Sequence, residues 1–163
     1  MLFKQLVVVG FLLKLAVAIQ LQAKSSHPEI DGLGISSKHT GAGTDYLYLG
    51  KDFENFAWNG NSLSKSVGSA YNQYFTVKDR NPQFSVSDKG SKLDFLPSRT
   101  GTLHHDDSPH GFYACKNTGD PYSYSKDNYQ LQYYKDQKPP NGCLDLVIVG
   151  CYSNSTAPHG KGY

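Results

Sequence analysis

The sequence predicts an all-β fold: a single-domain antiparallel β-sandwich or small barrel with one disulfide, the open two-layer sandwich being the preferred form. Three observations predict it. After the first two dozen residues, apolar side chains recur in short alternating runs between turn signals, and none keeps the 3.6-residue spacing of a helix. The 163 residues include 12 Tyr, 8 Phe and Trp58, with few Leu and Ile beyond residue 23, a balance that suits pleated strands. Three cysteines in an exported chain allow one internal bridge and leave one thiol over.

Export is read from the first residues. Lys4 precedes an apolar run from Leu6 to Ile19, broken at Lys14, and both Ala16-Val-Ala18 and Leu21-Gln-Ala23 offer small residues for cleavage. Residues 1–23 are therefore expected to be a signal peptide, cut after Ala18 or Ala23. A membrane span needs roughly 20 apolar residues, and this run is shorter and holds a lysine. The closing stretch Ala157-Pro-His-Gly-Lys-Gly-Tyr163 has no hydrophobic tail of the kind that directs a lipid anchor. Neither a transmembrane span nor such an anchor is expected.

The remaining residues suit one domain with one core. The net charge of +2 includes Lys4 and Lys14; without them 14 basic residues face 14 acidic ones. A near-neutral mature chain has no field to hold a polyanion, which excludes nucleic acid as a partner.

Residues 24–45 are polar and dotted with Gly32, Gly34, Gly41 and Gly43, and read as an irregular opening segment. The β domain is expected over 46–152. Tyr46-Leu-Tyr-Leu49 and Phe56-Ala-Trp58 alternate, and Tyr74 to Lys78 sets Phe75 and Val77 on one face. Phe84 to Ser87 and Leu93 to Phe95 flank the turn Asp88-Lys-Gly-Ser91 and read as a hairpin. Asp120 to Asn128 reads as a long exposed loop. Tyr129, Leu131 and Tyr133 share one face and Leu144, Leu146 and Ile148 another, across the breaker Lys138 to Gly142, which reads as a second hairpin. Residues 153–163 form a polar tail, where Asn154-Ser-Thr156 is a glycosylation sequon with Asn154 as acceptor.

Cys143 and Cys151 are separated by an extended run of roughly 20 to 26 Å, too far for bridged Cα atoms. Cys115 is then the shared partner. Pairing with Cys143, beside the Pro-Pro-Asn-Gly turn, is favoured, and pairing with Cys151 is the alternative.

The stretch from Phe84 to Val149 carries Phe-Ser-Val-Ser, Lys-Gly-Ser-Lys-Leu, Gly-Phe-Tyr-Ala-Cys115, Leu-Gln-Tyr-Tyr134 and Asn-Gly-Cys-Leu-Asp-Leu-Val-Ile-Val149. It resembles the C-terminal module of yeast cell-wall mannoproteins, in which an aromatic-x-Cys strand, a Tyr-Tyr strand and a Cys-initiated apolar strand follow one another. Ser37 to Tyr46 with Leu47-Tyr-Leu-Gly50 is similar to their opening segment. The resemblance implies an exported structural protein of a fungal wall. Members often carry a Ser/Thr-rich stalk with a lipid-anchor signal, or glutamine-containing repeats esterified to glucan; neither pattern occurs here, so covalent attachment is not carried over.

Three functions are weighed. The first is a secreted, non-enzymatic wall-associated structural protein without a cofactor, whose partners are wall glucan or other wall proteins. Exposed flat rings stack on sugar faces, which makes Trp58, Tyr122, Tyr124 and Tyr134 candidate carbohydrate contacts. The second is a small hydrolase or metal-dependent oxidase using His104, His105 and His110 with Asp106 and Asp107. Gly101 and Pro109-His-Gly111 bracket that segment as a solvated loop, so no metal site and no catalytic residue is expected. The third is a soluble secreted binder or toxin-like factor.

Overall fold

The structure, a computed structural model, describes residues 16–68, 71–86, 89–95 and 101–152. Its strands are β1 (Val17–Lys24), β2 (Gly34–Gly41), β3 (Thr44–Gly50), β4 (Asn55–Trp58), β5 (Leu63–Val67), β6 (Tyr71–Lys78), β7 (Asn81–Ser85), β8 (Leu93–Phe95), β9 (Gly101–His105), β10 (Phe112–Cys115), β11 (Tyr129–Tyr133) and β12 (Leu144–Tyr152). A single 3-10 turn, Tyr124–Lys126, is the one helical element among the described residues. No helix among them is long and apolar enough to cross a membrane. The all-β class holds.

Of the two expected forms, the closed one is found. Hydrogen bonding runs from β1 through β4, β5, β6, β7, β3, β11, β10 and β12 and returns to β1, an antiparallel barrel of nine strands. The preferred open sandwich fails because β1 pairs along both edges: Ile19 stands opposite Tyr152 of β12 and Phe56 of β4. Closure leaves no free sheet edge along that circuit. β2 bridges β1 and β3, and β9 with β8 extends the sheet from β12.

Period-two alternation put the dry faces where the sequence indicated. Leu47 and Leu49, Phe75, Leu131 and Tyr133, and Leu146 with Ile148 are all buried. Val77, Tyr129 and Leu144 pack against the same core. Phe84 joins two other buried rings there, stacked on Phe56 at 4.7 Å and edge-on to Phe75 at 6.0 Å. Each buried Leu or Phe contributes roughly 1.5–3 kcal/mol by leaving water.

Pairing departs from the sequence expectations in four places. Residues 25–33 are bends and turns, as expected of an irregular segment, but 34–45 are not: Gly34 stands opposite Gly50 and the ladder continues to Gly41 opposite Thr44. Three of the glycines that suggested irregularity, Gly34, Gly41 and Gly43, lie in this hairpin. A Cβ on Gly34 would overlap the Asp52 carbonyl oxygen, and Gly43 holds φ 67 in the turn. Signal and domain also overlap, because β1 begins at Val17 inside the expected leader.

Phe84 and Ser85 do not pair with Leu93 to Phe95, and Ser87 and Asp88 of the expected hairpin lie outside the described residues. β7 instead folds back on β6, with Lys78 opposite Asn81. The two residues between them, Asp79 and Arg80, have φ 49 and 67, the double left-handed conformation of a tight hairpin turn. Their identities lack the Gly or Asn-Gly that announces such turns. β8 pairs with β9, Leu93 opposite His105.

The second expected hairpin is split by a strand. β10 lies between β11 and β12, with Phe112 opposite both Tyr133 and Leu146. Because Ala114 stands opposite Leu144, Cys115 and Cys143 come face to face and form the disulfide, their Cα atoms 4.4 Å apart. The favoured pairing is the one found, and Cys151 is the free thiol, partly exposed near the end of β12.

The stretch Asp120 to Asn128 is a folded turn, with Asp120 and Ser125 buried. The leader segment 1–15 and the tail 153–163, with the Asn154 sequon, lie outside the described residues.

Candidate functional site

An aromatic face forms where β2 and β3 meet the turn that follows the disulfide. Tyr48 projects from β3, on the strand face opposite the core residues Leu47 and Leu49. Tyr124 closes over it edge-on, ring centroids 5.8 Å apart at 85°. Tyr122 stacks on Tyr124 at 5.8 Å with the planes inclined by 26°. Lys38 of β2 holds its ammonium 5.5 Å from the Tyr48 ring and 5.3 Å from the Tyr124 ring, an attraction between cation and ring quadrupole. His39 meets Tyr122 at 6.1 Å. Tyr48 is buried while Tyr122 is 53% exposed, so the strip presents flat rings to solvent above a filled base.

A short loop holds these rings still because its backbone is tied to one carboxylate. Asp120 accepts hydrogen bonds from the Tyr124 N–H at 2.8 Å, the Ser125 N–H at 2.9 Å and the Ser125 hydroxyl. Thr118 N–H donates to Ser125 Oγ at 3.1 Å, and Asn117 N–H to the Ser125 carbonyl at 2.9 Å. Burial pushes the Asp120 carboxyl up, but the hydrogen bonds from Ser125 and Tyr124 outweigh it and leave the group below its ordinary value. Burial first, and then the Asp120 charge, raise the Tyr48 phenol far above the ordinary phenol range. Tyr48 is thus a neutral floor to the site.

Of the four rings singled out in the sequence, the fold brings Tyr122 and Tyr124 together. Trp58 lies on β4, partly buried, edge-on to Phe95 at 4.8 Å. Tyr134 is buried, edge-on to Tyr113 at 5.9 Å with the Arg80 guanidinium 5.5 Å from its ring. Neither joins the Tyr122–Tyr124 face. Lys38, His39 and Tyr48 were not singled out. Tyr48 had a signal, since it falls on the other face of the Tyr46-Leu-Tyr-Leu49 alternation. Lys38 and His39 had none, because the strand that carries them has no apolar alternation.

The histidine loop does not assemble. His105 is buried among Tyr133, Phe75 and Phe112 at 4.9, 6.5 and 6.5 Å. His104 faces a depression of about 170 Å³ with Lys92, Asp94, Asp106 and Asp107. His110 lines a separate surface groove of about 700 Å³ with Tyr113 and Asp145. Strand alternation separates His104 from His105, and among the described residues no three His, Cys, Asp or Glu group to hold a metal ion.

Comparison with known proteins adds identity to this geometry. The chain is 33% identical over 155 residues to cell wall protein RHD3 of Candida albicans, covering 89% of the chain and 70% of the relative. It is 37% identical over 142 residues to cell wall protein PGA31 of the same organism, and 30% identical over 118 residues to cell wall protein PGA30. Those matches cover 83% and 69% of the chain, but only 46% and 42% of the relatives, so the chain spans under half of their length. No protein-family model matches the chain, and no solved structure does. Identity of this extent, joined to the Cys115–Cys143 barrel, means that the chain belongs to the fungal cell-wall mannoprotein family.

Proposed function

We propose that this protein is a secreted, non-enzymatic component of the fungal cell wall that holds wall polysaccharide against the Tyr122–Tyr124 face. A wall-associated role follows from the family. The contact with polysaccharide is our reading, and one observation carries it: Tyr122, 53% exposed, is stacked on Tyr124 and meets His39, while Lys38 lies over the Tyr124 ring. A sugar ring lays its C–H face on such a platform while its hydroxyls reach the polar groups at the rim. Tyr122 supplies the exposed ring face, and Tyr124 beneath it braces that ring.

The wall glucan is the expected partner. Co-sedimentation of the purified protein with insoluble β-glucan, chitin and isolated wall tests the proposal. Retention on glucan that falls several-fold in Tyr122→Ala, with unfolding unchanged, supports it. Equal retention of the two proteins, or none by the parent, overturns the site.

A further inference from the structure

We propose that the leader is cut at the Ala18–Ile19 bond, so that the mature chain begins with Ile19. The inference rests on export as read from the first residues, not on polysaccharide binding. Exposure along β1 changes at that bond. Val17 and Ala18 are exposed, whereas Ile19 is 2% exposed and Leu21 and Ala23 are fully buried.

The hydrogen-bonded ladder changes at the same place. Val17 and Ala18 pair only with β4, opposite Trp58 and Ala57. From Ile19 onward the strand also pairs with β12, from Ile19 opposite Tyr152 to Lys24 opposite Val147. Leu21 and Gln22 pair with Ile35 and Gly34 of β2. A chain beginning at Lys24 would lose Ile19, Leu21 and Ala23 from the core, every pair with β2 and β4, and all but one pair with β12. The barrel would then have no β1 to close it. A chain beginning at Ile19 loses only the two outer pairs with β4.

Local chemistry agrees. A leader-removing endopeptidase with shallow pockets takes small residues one and three positions before the cut. Ala18 and Ala16 meet both conditions. A cut after Ala23 would put Leu21 in the second pocket. In the hydrolysis, water adds across the peptide bond: its oxygen bonds to the Ala18 carbonyl carbon as the C–N bond breaks, leaving an Ala18 carboxylate and an Ile19 α-ammonium.

Removal of Ala16 to Ala18 also takes away one wall of a groove of about 430 Å³ that these residues line with Glu54, Asn55, Ala57 and Lys65. The β4 edge at Ala57 and Trp58 is left without a strand beside it, and the new ammonium emerges at Phe56. Maturation thus bares the strand that carries the only tryptophan.

The test is N-terminal sequencing and intact mass of the translocated product from a fungal host expressing the full chain. The expected first residue is Ile19. Ala18→Leu should block that cut. Ala23→Val should leave Ile19 as the terminus, read on the total translocated product so that folding does not affect the result. A first residue of Lys24, a product retaining Met1, or a terminus that moves with Ala23→Val and not with Ala18→Leu overturns the inference.

Discussion

Lys65 of β5 reaches across to Asp45 of β3, Nζ to Oδ2 2.6 Å, with the two side chains 15% and 12% exposed. The same ammonium lies 3.4 Å from Glu54 Oε1 and donates to Ser37 Oγ at 2.5 Å. Glu54 in turn accepts from the Ser37 N–H at 2.6 Å. One cation thus serves two carboxylates in a mostly covered space between β2, β3 and β5. Lys65→Met should lower stability by about 2 kcal/mol, less than for a fully buried pair because some water reaches the site. Urea unfolding measures it. Adding Asp45→Asn should recover part of the loss, and strict additivity of the two changes would argue against the pair.

The disulfide closes a loop with a sequence separation of 28. Restricting the unfolded chain to that extent is worth about 3.5 kcal/mol in the chain-entropy treatment. Replacing Cys115 and Cys143 together with alanine should lower the melting temperature by about 10–15 °C for a domain of this size. Replacing Cys151 alone should leave the disulfide-dependent part untouched. A thiol titration of the native protein should count one sulfhydryl.

His105 makes stability depend on acidity. Burial, the largest influence, lowers its imidazole; Asp106 opposes this and Lys135 adds to it. Its Nδ1 has no hydrogen-bond partner among the described residues. As pH falls through about 6.5 the unfolded chain takes up the proton first, so stability falls until native His105 is protonated too. Above that range His105 is neutral in both states and adds no slope. Unfolding midpoints at pH 7.5 and 5 should differ more for the parent than for His105→Leu. Equal differences would count against the buried imidazole as the source.

Gly34 admits no side chain, since a Cβ would meet the Asp52 carbonyl and the Phe53 ring. Backbone cannot yield as a flexible side chain can. Gly34→Ala should therefore lower stability by about 1–3 kcal/mol. Gly50, opposite Gly34 in the ladder, has open space where its Cβ would stand, and Gly50→Ala is the matched control in the same denaturation series.

Removal of the Tyr122 ring should weaken polysaccharide retention by about 1 kcal/mol, roughly fivefold, while leaving the fold intact. Lys38→Ala should act in the same direction through loss of the ammonium that braces Tyr124. Asp120→Asn should weaken retention by releasing the turn, with Tyr122 and Tyr124 still present. The readout that separates it from direct contact is greater proteolytic sensitivity of the turn itself.

The alternation of single strands was legible because it is local. Phe75 with Val77, Leu47 with Leu49, and Leu146 with Ile148 declare a dry face by period two, whatever strand lies alongside. Cys115 as one half of the cystine was legible for a similar reason, since extended chain kept Cys143 from Cys151; the choice between those two as its partner stayed open until strand register decided it. The order of strands was not. Period two says which face is buried but not which neighbour supplies the hydrogen bonds, so both expected hairpins were misassigned and β2, with no apolar alternation to announce it, was missed. Tyr122 and Tyr124 were within reach of inspection, two residues apart in a polar stretch. Their union with Lys38, His39 and Tyr48 depended on the pairing of β11 with β3, which brings residues some eighty positions distant in sequence onto one surface. By itself the sequence determined the kind of element, its dry face and the chemistry of each side chain; the tertiary structure decided adjacency, because only long-range pairing chooses among partners that local pattern leaves equivalent.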